Sequence, residues 1–253
     1  SSSDTVASLS INSGNSLNVS GGALTVTGAT TVGGTLTVSG GSFTSGGALG
    51  LTGTLSATSG TMVISGALNG SASGRALVQG GTLRLDGAST LSQLNLSAGA
   101  LSGTGSLLVG QSYAFSGGSF GSNFSTVDIT QTTGALNVGA MGATTLLRLR
   151  TLAGGLTVKG ALTSGGSVRL GAEGGNLTLG ASASVTANGT GDALTVATTG
   201  NFINQAGSLS LFAPNGPWLV FSTSPLLDTL GGLTGDFKHY GISIPPSGPA
   251  YSG

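Results

Sequence analysis

The 253-residue sequence has no cysteine, which excludes disulfides and thiolate metal sites. Charged residues are only 6% and balance to a formal net charge of zero. Nucleic acid is therefore not an expected partner, because that binding rests on many basic phosphate contacts. No run of about 18 apolar residues exists to span a membrane as a helix. Sparse charge with a positive mean hydropathy of +0.36 also excludes an intrinsically disordered chain. Proline is missing from residues 1–213; all six, Pro214, Pro217, Pro225, Pro245, Pro246 and Pro249, lie in residues 214–253. Proline removes a ladder donor, so a proline-free body suits unbroken strand pairing. The domain change is placed there: a repeat body over residues 1–213 and a capping tail over 214–253. The chain starts at Ser1 with no signal peptide and reads as a piece of something longer.

What is abundant is glycine, 49 residues, without the strict every-third spacing of collagen. Residues 15–41 show how it is used. Leu17/Val19, Leu24/Val26 and Leu36/Val38 each flank one small polar residue, and Gly-Gly or Gly-Ala follows. Residues two apart on a strand share a face, so each pair points inward. One such phrase cannot bury its own face and must stack on copies of itself. The pairs continue through Met62/Ile64, Leu83/Leu85, Leu94/Leu96, Leu107/Val109 and Leu194/Val196 to Leu209/Leu211. Leu136, Leu156 and Leu177 recur at about 20-residue steps, as do Val127, Leu147 and Val168. Two interleaved series with one period predict a coil of about 20 residues with at least two strands, and room for a third. About eleven such coils at strand spacing would give a rod of about 50 Å. Interior glycines would cost a helix about 1 kcal/mol each. An antiparallel sandwich also fits short strands between glycine turns, but the fixed register favours an all-β parallel β-helix, with glycines at corners needing positive φ or close approach.

The outer positions are mostly Ser, Thr and Asn. Asp128, Arg148 and Arg169 each sit between two inward aliphatics at the coil period, so they are expected to stack on one outer face. That ladder is read either as structural, or as a sugar- or anion-binding stripe joined by Arg150 and Lys159. Tyr113, Phe115, Phe120 and Phe124 form the aromatic cluster of the body, where residues 111–123 are expected to make a longer loop or bulged coil. Tyr113 and Phe115 there either stack on sugar rings or cover an irregular corner. Thr25/Thr27 and Thr35/Thr37 suggest a flat threonine array of the ice-binding kind, but the pattern does not persist. No catalytic set is expected: Asp86, Asp128, Glu173 and Asp192 are dispersed, and the single histidine, His239, lies in the tail. No cofactor or metal is expected either.

From residue 201 the sequence changes character. It carries Asn201-Phe202-Ile203-Asn204, then Trp218-Leu219-Val220-Phe221-Ser222, then Asp228-Thr229-Leu230-Gly231-Gly232-Leu233. This segment resembles one in large filamentous-haemagglutinin-like adhesins of Gram-negative bacteria, where such phrases close a β-helical array. The resemblance covers about fifty residues; the body matches in style only. It implies a right-handed parallel β-helix, export by the two-partner route, and a role in adhesion or biofilm matrix outside the cell. The family's amino-terminal secretion domain has no counterpart in this sequence. Trp218, Phe221, Phe237 and Tyr240 are expected to cap or join the end of the stack. The functional expectation is a non-enzymatic structural protein of the cell surface or extracellular matrix, an adhesin stalk or filament. Its partners would be further copies of itself, end to end, or a host or matrix glycan or protein. A carbohydrate-binding module is the alternative, and a polysaccharide-cleaving enzyme a more distant one.

Overall fold

A computed structural model of the protein describes residues 2–235. It is all-β, with parallel strands stacked as a β-solenoid of about 11 turns at roughly 20-residue spacing. The only helical element among the described residues is a 3-10 turn, Pro225–Leu227. The chain divides into two compact units, Ser1–Ile129 and Thr130–Gly253.

In the first unit each coil has three sides. Ser3–Val6, Leu9–Ile11 and Ser16–Val19 form the first coil; Ala23–Val26, Thr30–Val32 and Thr35–Val38 form the second. Every strand pairs in parallel with its counterpart one coil on, so Leu17 meets Leu36 and Leu36 meets Leu55, while Leu24 meets Phe43 on a different side. The threefold phrase of residues 15–41 is thus one strand pair on one side and the start of the next side. Successive partners Ser3, Ala23, Ser42, Thr61 and Thr82 are 20, 19, 19 and 21 residues apart. The inward residues Val26, Val32, Leu36, Val38, Phe43 and Leu49 are fully buried. Leu17 and Leu24 are only half-buried. Thr25 lies on one side and Thr35 and Thr37 on another, so the two Thr-x-Thr motifs share no flat array.

The corners explain the glycine. On one edge Gly47, Gly66 and Gly87 succeed one another, and a Cβ on Gly66 would sit 2.3 Å from the Gly47 carbonyl oxygen. Only a hydrogen at that position lets consecutive coils close to strand spacing. Later in the unit the strands lengthen and run around corners: Arg75–Leu85, Ser89–Gly103 and Ser106–Phe115, with register shifts where they bend. Of the two expectations for residues 111–123, the longer loop is corrected and the bulge is found: the register slips by one between Leu91 on Val109 and Gln93 on Ser112. Strand continues through Phe115, Ser119–Phe120 follows, and the coil step from Leu101 to Phe120 is 19 residues. Tyr and Phe are good strand formers on a half-buried pleat, which outweighs the break in the aliphatic phrase.

In the second unit the same three-sided plan holds, but the coils widen. Leu136, Leu156, Leu177 and Phe202 stack at steps of 20, 21 and 25 residues. Val168, Leu194 and Trp218 are separated by 26 and 24. Leu211–Phe212 pairs with Ser184–Ala187, and stacking continues beyond Ala213, where Trp218–Phe221 pairs with Leu194–Thr198. The expected inward pair Leu209/Leu211 is corrected at its first member. Leu211 is buried, but Leu209 is 87% exposed. A turn at Gly207, φ 93°, closed by the Ser210 amide on the Gly207 carbonyl, delays the strand to residue 211.

Candidate functional site

The cationic face is built from two paired strands of the second unit, Leu146–Thr151 and Ser167–Ala172. Their register places Leu147 on Val168, Arg148 on Arg169, and Leu149 on Leu170. The aliphatic residues are buried, so strand alternation turns both arginines outward. Arg148 is exposed and Arg169 half-buried. Like charges directly opposite on adjacent strands are mildly unfavourable. Arg150, two residues on, is already engaged: its Nε donates to Glu173 Oε1. Arg169 makes no ion pair among the described residues. Lys159 is exposed but follows Leu156–Val158, a strand of a different sheet. The structure therefore brings together Arg148, Arg150 and Arg169 and leaves Lys159 on another side. Asp128 belongs to the first unit, buried and in register with Leu108.

Among the aromatic residues Tyr113 is enclosed in the core. Tyr113 and Phe115 fall in register with Leu94 and Leu96, the inward row, so Tyr113 is 3% exposed and Phe115 half-buried. Phe120 meets Tyr113 edge-on at 6.4 Å between ring centroids and Phe124 at 5.5 Å. A ring enclosed this way offers no free face, so Tyr113 is corrected from a ligand-facing residue to a core residue. Burial pushes its phenol pKa well above the ordinary value.

The tail builds a connected polar arrangement. Phe202–Asn204 lies against the segment of residues 228–230. The Phe202 amide donates to Asp228 Oδ1 at 2.7 Å, the Thr229 amide to the Phe202 carbonyl, and the Asn204 amide to the Thr229 carbonyl. Ser222 Oγ donates to Asp228 Oδ2 at 2.6 Å. Asn204, 1% exposed, donates through Nδ2 to the carbonyls of Gly207 and Leu230 and accepts from the Ala206 amide. Asn204 and Asp228 thus clasp the last coil. Gly231, φ 61°, passes so close that a Cβ would lie 2.6 Å from the Asn204 carbonyl oxygen.

Of the expected end residues, Trp218 extends the inward row of Leu194, half-buried. Phe221 is buried and pairs with Ala197 in the alternate row. Phe237, His239 and Tyr240 lie outside the described residues. Sequence reasoning missed one position. Asp4 stands in register with Leu24, at an inward site; the shared Thr-Val of Asp4-Thr5-Val6 and Leu24-Thr25-Val26 is the signal that would have found it. Comparison of the chain with protein-family models, curated proteins and solved structures returns no match.

Proposed function

We propose that this solenoid is a structural segment of a bacterial surface or extracellular-matrix adhesin, a stalk that serves adhesion by holding its shape. The observation that carries this reading is the tail clasp. The three phrases that resemble filamentous-haemagglutinin-like adhesins, at residues 201–204, 218–222 and 228–233, are the segments that hydrogen-bond to one another in the last coil. Continuous aliphatic rows and parallel backbone ladders suit a mechanical role, and neutral Ser, Thr and Asn rows outside offer little to non-specific partners. A second reading, a carbohydrate-binding module, is favoured by one observation: the stacked Arg148 and Arg169, of which Arg169 is half-buried and without an ion pair among the described residues. Negative-stain electron microscopy combined with a glycan array tests both. The stalk reading expects single elongated particles and no glycan signal. Compact particles, or turnover of uronic-acid polymers, would overturn it. A glycan signal lost in Arg169→Ala would establish the second reading instead.

A further inference from the structure

Three Asn-Gly dipeptides occur in the sequence: Asn69-Gly70, Asn188-Gly189 and Asn215-Gly216. An asparagine side chain can react with the backbone amide of the next residue. Glycine favours this, because it carries no Cβ to obstruct the approach and its backbone is the least restricted. The reaction needs that amide released from hydrogen bonding and the segment free of a ladder, so local structure ranks the three sites.

Asn69 lies within Leu68–Gly70, a strand paired in parallel on both sides, with Leu49–Leu51 and with Ser89–Gly103. Two ladders fix its backbone. Asn188 stands at a corner, but both amides there are tied to the preceding coil. The Asn188 amide donates to the Ser164 carbonyl at 3.0 Å and the Gly189 amide to the Gly166 carbonyl at 2.9 Å. Asn215 differs on each count. It is exposed, in the turn between Leu211–Phe212 and Trp218–Phe221. Pro214 and Pro217 flank the dipeptide and have no amide to donate. Neither the Asn215 nor the Gly216 amide donates to a partner among the described residues. What ties Asn215 to the stack is its side chain, whose Nδ2 donates to the Asn188 carbonyl at 2.9 Å.

We propose that Asn215 is a self-modification site, converted without an enzyme to a mixture of aspartate and isoaspartate. The Gly216 nitrogen attacks Asn215 Cγ and gives up its proton. The Cγ–Nδ2 bond breaks, and Nδ2 leaves with that proton as ammonia, closing a succinimide ring. Water then opens the ring, at Cγ to give aspartate or at the main-chain carbonyl to give isoaspartate. The product carries two marks. A carboxylate cannot donate to the Asn188 carbonyl, so the side-chain tie to the neighbouring coil is lost. Each event also adds one negative charge to a chain whose formal net charge is zero.

The test is prolonged incubation of the purified, folded chain at neutral pH and body temperature, with circular dichroism to confirm folding. Isoelectric focusing reads the acidic species. Peptic peptide mapping in acid locates it, and electron-transfer fragmentation tells isoaspartate from aspartate. Conversion at Asn215 is expected to run about tenfold or more ahead of Asn188 and Asn69, whose amides must first break their hydrogen bonds. In concentrated urea, where the ladders are gone, the three sites are expected to convert at similar rates. Asn215→Gln, which would have to close a larger ring, is expected to remove the early acidic species. An Asn215 that stays intact in the folded chain for the time in which urea converts all three sites overturns the proposal. So does conversion of Asn188 or Asn69 in the folded chain as fast as Asn215. The same ranking in urea would trace the difference to local sequence and overturn its structural basis.

Discussion

Asn204→Ala isolates the clasp. The substitution removes three hydrogen bonds, two donated to the Gly207 and Leu230 carbonyls at 2.8 and 2.9 Å and one accepted from the Ala206 amide at 2.9 Å. Each is worth a net of about 1 kcal/mol. Gly207 is half-buried and Leu230 37% exposed, so water can replace part of what is lost at the two carbonyls. The expected cost is about 2 kcal/mol. In a solenoid each coil contacts only its neighbours, so the loss should be local. Native-state hydrogen exchange reads this directly. Protection of the Phe202, Asn204 and Thr229 amides, which donate to Asp228, Thr229 and Phe202, should fall by about 30-fold. The Leu156 amide, bonded to the Asn176 carbonyl farther up the stack, should keep its protection. A fall of less than about twofold at the clasp amides would refute its structural role. An equal fall at Leu156 would refute the local character of the coils.

Two further outcomes are expected. Because burial raises the Tyr113 pKa, the neutral phenol stabilises the fold fully below the unfolded value of about 10, and this is lost as pH rises above it. The unfolding free energy from denaturant titrations should therefore fall in alkaline solution by up to about 1.4 kcal/mol per pH unit more than in Tyr113→Phe; parallel profiles for the two proteins would contradict the burial. Gly66→Ala should destabilise by about 1–3 kcal/mol, since its Cβ would meet the Gly47 backbone at 2.3 Å. Gly50→Ala, with nothing within 4 Å, should be neutral or slightly stabilising in the same melting experiment.

The solenoid was legible in the sequence wherever inward pairs and the coil period coincided. Leu136, Leu156 and Leu177 stack as their spacing requires. The register also makes Arg148 and Arg169 neighbours. Spacing failed where the period itself changed: Leu209 satisfied the two-residue alternation but fell in a turn of a widened coil. Lys159 shows a signal present but unused. Eleven residues past Arg148 is about half a coil, which puts it on another side. Tyr113 was misplaced because chemistry was weighed before parity; it is two residues from Phe115, and both align with the inward Leu94 and Leu96. Asp4 was hidden by its own polarity, since an inward row is recognised by apolar residues and this one ends on a charge.

The widening of the coils shows where the chain tolerates change. Between Ala161–Ser164 and Ser167–Ala172 the corner is residues 165–166; one coil later, between Ser184–Ala187 and Leu194–Thr198, it is residues 188–193. The flanking strands keep their register through this growth, Leu162 on Val185 and Val168 on Leu194. Length can therefore be added at a corner without disturbing the ladders on either side. Descendants of such a chain can acquire new surface loops one corner at a time, and an engineer can graft a foreign epitope or binding loop between Thr190 and Asp192 with the scaffold intact, because Asn188, Gly189 and Ala193 carry the hydrogen bonds to the neighbouring coil.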